Sequence, residues 1–216
     1  MQLTDNEATS IASRVAALEA RTGVQVVTAV VGKCDSYSEA PWKAFALGTG
    51  AAALACAIWQ LSGGAWAADA SRLAHVLVIL GSGAFLAMLA VFCLPFARVF
   101  VDHARRDMEV IQFAQALFFR HGLDRTRGRV GVLVLVSLFE RKVVILADAG
   151  FDGRIDAGDW GRLTRRITVL LRHATTAVGL RAGLEGMEAM LLERGFHGAG
   201  TANELPDAVL QMRNEK

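Results

Sequence analysis

Val130 to Ala147 reads VGVLVLVSLFERKVVILA. Two apolar, β-branched runs, Val130–Val136 and Lys142–Ala147, are separated by Ser137–Arg141. Runs this short and this continuously apolar predict strands buried on both faces, and the short connection predicts a hairpin. Two strands cannot close a core alone. The missing partner stands far upstream at Val24–Val31, VQVVTAVV. Helical patterns flank all three strands. Thr4-Asp5-Asn6-Glu7 is a capping box opening a helix with Ile11, Val15 and Leu18 on one face, and Gly23 stops it. Arg105–His121 carries Val110, Phe113, Ala114, Leu117 and Phe118 on one stripe before Gly122. Asp156–Asp159 caps a helix bearing Trp160, Leu163, Ile167 and Leu170, and Thr176–Arg194 carries Val178, Leu184, Met187 and Leu191. Helices alternating with doubly covered strands predict an α/β protein, a three-layer α/β/α sandwich.

Between the first strand and the other two lies a segment of different composition. Asp35–Lys43 begins a helix that runs into Ala44–Leu61, AFALGTGAAALACAIWQL, without a charge. The second run, Leu73–Phe100, is uncharged from Val76 to Ala97, with His75 and Arg98 at its edges. About 20 apolar residues cross about 30 Å of hydrocarbon. The second run meets this easily; the first, rich in Ala and Gly, meets it narrowly. In the connection, Ser62, Gly63 and Gly64 break the helix, and Trp59 and Trp66 suit the membrane interface. So short a link makes the helices antiparallel neighbours. Gly48, Gly50, Ala51 and Ala55, with Gly81, Gly83 and Ala87, permit close approach. Lys33, Lys43, Arg98, Arg105 and Arg106 flank the outer ends, with His103 beside them, while the connection has only Arg72, offset by Asp69. The bias of basic residues places both termini in the cytoplasm, with two passes through the cytoplasmic (inner) membrane. The expected organisation is one domain formed by residues 1–43 and 101–196, a hairpin inserted at 44–100, and a polar tail at 197–216.

Composition agrees. Of 216 residues, 53% are hydrophobic and 20% charged, an apolar excess concentrated in the hairpin. A net charge of +2 is too small to argue for nucleic acid as a partner. Cys34, Cys56 and Cys93 form no C-x-x-C pair and read as inert thiols in a reducing compartment. The first 40 residues lack the apolar core of a secretory signal. No ionisable residue lies within the hairpin runs, which argues against a transport pathway.

Several segments together resemble the TPM domain family, which includes a thylakoid photosystem-repair protein and bacterial membrane-associated proteins. Leu3–Val31 is similar to the family's opening helix and first strand, joined at Thr22-Gly23. Gly128–Gly150 resembles its two central strands, with a Gly ahead of the first and an Arg after the turn. Asp159–Phe196 resembles its Trp-bearing helix and closing Gly-Leu helix, and Asn203-Glu204-Leu205-Pro206-Asp207 is similar to a tail motif of the subgroup with an inserted membrane hairpin. The resemblance implies an α/β/α fold with a mixed sheet. It also implies phosphatase activity with calcium binding, or a part in the assembly and repair of membrane complexes.

Two segments are candidate sites. Family members place acids just before the Gly of the second strand, but here the turn reads Asp124-Arg125-Thr126-Arg127-Gly128-Arg129. Three arginines around one acid disfavour a dication. Arg125, Arg127 and Arg129 suit an anion such as a lipid phosphate, or form a solvated basic turn. The second segment is DAGFDGRIDAGD, Asp148–Asp159. Its acids Asp148, Asp152, Asp156 and Asp159, with Gly153 at the turn, loosely follow a calcium loop and are the candidate ligands of Ca²⁺ or Mg²⁺. Gly150 stands where an oxygen donor belongs, Asp159 replaces the bidentate Glu, and a strand rather than a helix precedes the loop. The alternative is a strand-to-helix turn with Asp156 as N-cap. His103, His121, His173 and His197 have no ligand spacing, Ser137 sits in no nucleophile elbow, and Glu140-Arg141 reads as an exposed pair. The functional expectation is a membrane-tethered, non-catalytic module that helps assemble or maintain membrane protein complexes. Self-association through the small-residue helix faces is compatible with it. The alternative is a Ca²⁺- or Mg²⁺-dependent phosphomonoester phosphatase.

Overall fold

A computed structural model of the chain describes residues 3–62, 70–198 and 209–212. The predicted helix break at Gly63 and Gly64, Trp66, Asp69 and the tail motif Asn203–Asp207 lie outside the described residues, as does the side chain of Arg72. The chain forms two compact units, one of Met1–Cys34 with Asp107–Lys216 and one of Asp35–Arg106.

The first unit is an α/β sandwich. Helix α1 (Asp5–Thr22) starts at the capping box: Thr4 N donates to Glu7 Oε2 at 2.8 Å, and Glu7 N donates to Thr4 Oγ1 at 3.4 Å. It ends at Gly23, whose φ of 72° is the left-handed stop. Strand β1 (Gln25–Val31) pairs in parallel along its whole length with β2 (Gly131–Ser137), from Gln25 opposite Gly131 to Val31 opposite Ser137. Strand β3 (Lys142–Ala147) returns antiparallel to β2, and the order β3-β2-β1-β4 makes a mixed sheet. The segments on either side of the apolar hairpin therefore complete one sheet.

Strand parity divides the core. Val26, Val30, Val132, Val134 and Val136 pack with α1, α6 (Ala157–His173) and α7 (Thr176–Glu193). Their neighbours Val27, Ala29, Val31, Leu133 and Leu135 pack with the stripe Val110, Ala114, Leu117 and Phe118 of α5 (His103–Arg120). Close approaches here rely on glycine. A Cβ on Gly131 would lie 2.3 Å from Leu123 O, and one on Gly183 would lie 2.5 Å from Ile167 Cγ1, so α7 settles directly onto α6.

The end of the chain departs from the expected polar tail: β4 (Leu210–Met212) pairs in parallel with Ala29–Val31. Three residues, the middle one exposed and its neighbours half-buried, are too few to carry a strand period, and only the waiting edge of β1 selects them. Ahead of β4, the Val26 N–H is met instead by the carboxylate of the buried Glu19, 2.6 Å away.

The second unit holds α2 (Glu39–Leu61) and α3 (Ala70–Phe92), both long and apolar enough to cross a membrane. The buried Ala40, Ala44 and Gly48 and half-buried Ala52 and Cys56 recur every four residues, a ridge of small side chains along α2. A Cβ on Gly48 would stand 2.7 Å from Ser82 O and 2.9 Å from Gly83 Cα, so the backbones touch there. A Cβ on Gly50 or Gly81 would meet nothing within 4 Å. Of the small residues expected to mediate approach, Gly48 and Gly83 do so and Gly50 and Gly81 do not. The second apolar run is not one straight span. Cys93 is extended, and α4 (Leu94–Ala97) restarts after it with Pro95 in its first turn, where a missing N–H costs nothing. Lys43 Nζ donates to Phe100 O at 3.0 Å, and Arg105 pairs with Asp35 at 3.3 Å and Glu39 at 3.0 Å, bracing the two outer ends of the pair.

Candidate functional site

The antiparallel pairing of β2 and β3 brings the start of one beside the end of the other, so the basic turn and the acidic loop are neighbours. Asp148 N donates to Gly131 O at 3.0 Å. Gly150 lies against the turn: a Cβ there would meet Gly128 O at 2.4 Å and Arg129 O at 2.5 Å. Gly128 has φ 75° and Arg129 φ 56°, and this left-handed pair aims the Arg129 side chain at the loop. Its Nε lies 3.1 and 3.2 Å from the two Asp148 carboxylate oxygens and its Nη2 2.8 Å from Oδ1, a two-pronged charge-assisted contact. The Ala149 N–H adds a further bond to Oδ1 at 2.8 Å. Hydrogen bonding from Arg129, helped by the Ala149 amide and outweighing burial, holds the Asp148 carboxyl below the usual carboxylate range. The same contact raises Arg129 above its ordinary value.

The remaining acids have separate tasks. Asp156 accepts from Asp159 N at 2.7 Å as the N-cap of α6, while Asp152 is exposed at the end of a single 3₁₀ turn, Ala149–Phe151. Asp159 is buried and bonded to Arg162 of its own helix and to Arg194 beyond α7, the latter at 2.5 Å. Arg154 closes the loop onto the same place. It donates to Arg194 O at 3.0 Å and Gly195 O at 2.7 Å, and its guanidinium lies 3.7 Å from the centre of the Phe196 ring. Phe151 anchors the loop in the core between Trp160 and Phe196. Asp148, Asp152, Asp156 and Asp159 thus do not face one point, and among the described residues no three His, Cys, Asp or Glu side chains gather as a metal site would require. The donor set does not fit a calcium or magnesium ion, which needs several oxygens converging on one centre. Two of the four carboxylates already face guanidinium groups.

The three arginines also separate. Arg129 turns to Asp148, whereas Arg125 is 85% exposed beside Asp124, and Arg127 is exposed. Glu140, expected at the surface with Arg141, is instead buried, accepting from Ser137 Oγ and from Cys34 N at 2.9 Å. Arg141 takes the turn alone, at φ 53°. Sequence reasoning also missed the buried Glu188 of α7, which binds Arg14 and Arg21 of α1. The i, i+7 spacing of Arg14 and Arg21 is its only trace in the sequence.

The TPM domain family matches residues 96–190, which run from α4 through most of α7. A comparison with curated proteins gave no match. Among solved structures, the chain is similar to the BA42 protein of the psychrophilic bacterium Bizionia argentinensis, with 14% identity and a TM-score of 0.59 over 98% of this chain and 97% of that one. At that identity the likeness is one of fold.

Proposed function

We propose that this protein is a membrane-anchored TPM-like domain that acts as a non-catalytic interaction module, assembling or maintaining membrane protein complexes from the cytoplasmic side of the inner membrane. The observation that carries this reading is the outer surface of the helix pair. Leu54 and Leu77 are each 63% exposed and Phe92 71%, alongside Leu47, Ile58, Leu80, Phe85 and Val91. A helix pair this apolar on its outer faces calls for hydrocarbon around it. The exposed Trp42 and Trp59 stand about 25 Å apart along α2 at the usual rise per residue, close to the thickness of that layer. Both termini then lie in the cytoplasm, in line with the basic residues outside the pair.

The non-catalytic half rests on the acidic loop. Asp148 holds Arg129, Asp156 caps α6 and Asp159 holds Arg194, a structural junction where hydrolysis would need a nucleophile and a polarising cation. Resistance of the protein to alkaline carbonate extraction tests the anchor. Recovery of a consistent membrane protein in mild detergent is the result expected of the module, and reproducible purification with none counts against it. The rival phosphatase is tested on the solubilised protein with phosphomonoesters and added Ca²⁺ or Mg²⁺. Turnover lost in an Asp152→Asn, Asp156→Asn double variant with its fold intact would replace the proposal.

A further inference from the structure

The outer face of α6 is strongly basic. Among the charged residues of Ala157–His173 are Arg162, Arg165, Arg166 and Arg172, with Asp159 the one acid. Asp159 is buried, whereas Arg162, Arg165, Arg166, Val169, Arg172 and His173 are exposed. At the helical repeat those six residues fall within about 120° of arc. Leu163 and Ile167 occupy the opposite side in the core. The other helices of this unit mix their signs: α7 sets Arg181 against Glu185, Glu188 and Glu193, and α1 and α5 each carry both charges. A chain of net charge +2 has therefore concentrated positive charge on one helix face with a half-exposed valine, 54%, at its centre.

We infer that this face docks on anionic phospholipid headgroups. The inference rests on the membrane-anchored reading, because the hairpin keeps the domain at a bilayer surface and raises the effective concentration of headgroups. The match is one of charge. A leaflet offers a plane of phosphates without fixed geometry, and arginines spread over three turns around an apolar residue suit that plane better than a single phosphate pocket. Interfacial helices commonly have this composition, basic with an embedded apolar side chain.

The test uses the full-length protein in nanodiscs of phosphatidylcholine, offered vesicles of phosphatidylcholine alone or with about one-third phosphatidylglycerol. Flotation is expected to recover the protein with anionic vesicles, not neutral ones, and less as salt rises. Each basic residue at such a surface contributes a factor of about five, so Arg165→Gln, Arg166→Gln and Arg172→Gln together should weaken capture roughly a hundredfold. Lysine at the same three positions should restore it, since headgroup attraction needs charge rather than a fork. Arg162 is left intact because it holds Asp159. Capture unchanged in the glutamine variant, or equal capture of neutral vesicles, overturns the inference. Tighter retention of polyglutamate than of anionic vesicles, lost in the same variant, overturns it in favour of an acidic protein. Nanodisc incorporation and carbonate resistance report the anchor separately. Should the chain stay soluble, the same flotation is run on it directly.

Discussion

Replacing Gly131 with alanine tests how the basic turn is seated against the sheet. The added Cβ would lie 2.3 Å from Leu123 O and within 3.1 Å of Leu123 C and Cα. An ordinary carbon–oxygen contact is about 3.3 Å, so the backbones must part by about 1 Å. Both are main chain, so no side chain can swing aside. Two bonds at this corner hold the sheet: Asp148 N to Gly131 O at 3.0 Å and Gln25 N to Val130 O at 3.1 Å. Stretched by that amount, both leave the range of a hydrogen bond. Losing two buried backbone bonds costs about 2–4 kcal/mol. At about 2–4 °C per kcal/mol for a chain this long, the thermal midpoint should fall by about 4–16 °C. The assay is thermal denaturation by circular dichroism in mild detergent, beside a Gly32→Ala control. Gly32 has ordinary φ, and a Cβ there meets nothing within 4 Å. A Gly131→Ala midpoint within about 2 °C of that control would refute the reasoning.

Arg129→Gln should release the Asp148 carboxyl toward the ordinary carboxylate range. A carboxyl depressed by folding contributes stability present above its unfolded pKa and lost as pH falls through the folded value. The midpoint gap between wild type and variant should therefore be full near neutrality and close toward acid, and a gap independent of pH contradicts the pairing. Removing residues 209–216 should speed hydrogen exchange at Val30 and Gly32, which face β4, and leave Val132 and Val134 protected in the middle of the sheet. Exchange unchanged at Val30 would show that β4 does not cover that edge. Gly48→Val should force α2 and α3 apart and expose the pair to protease in mild detergent, while Gly50→Val should behave as wild type, since it touches nothing. Equal sensitivity of the two would deny the backbone contact at Gly48.

The arrangement of strands was legible because their period was. Val24–Val31, Val130–Val136 and Lys142–Ala147 each read as buried strands, and each forms within one residue of that reading. The caps at Thr4 and Asp156 and the stops at Gly23 and Gly122 were equally plain, since each depends on neighbours a few residues away. The break at Cys93 fell inside a continuous apolar run, where hydropathy keeps its value while Pro95 resets the backbone. The acidic loop was least legible. Four aspartates in twelve residues suggest a ligand set, but spacing cannot say which way a carboxylate faces.

Local pattern therefore determined which residues are apolar together, with what period, and where helices begin and stop. Those are short-range properties, set by backbone sterics and by neighbours within a turn or two. Only the tertiary structure decided which charges meet: Arg129 with Asp148, Glu188 with Arg14 and Arg21, Asp159 with Arg194. It also recruited Leu210–Met212 to the edge of β1. Such partners lie far apart along the chain, and a carboxylate's role depends on the particular cation that the fold carries to it.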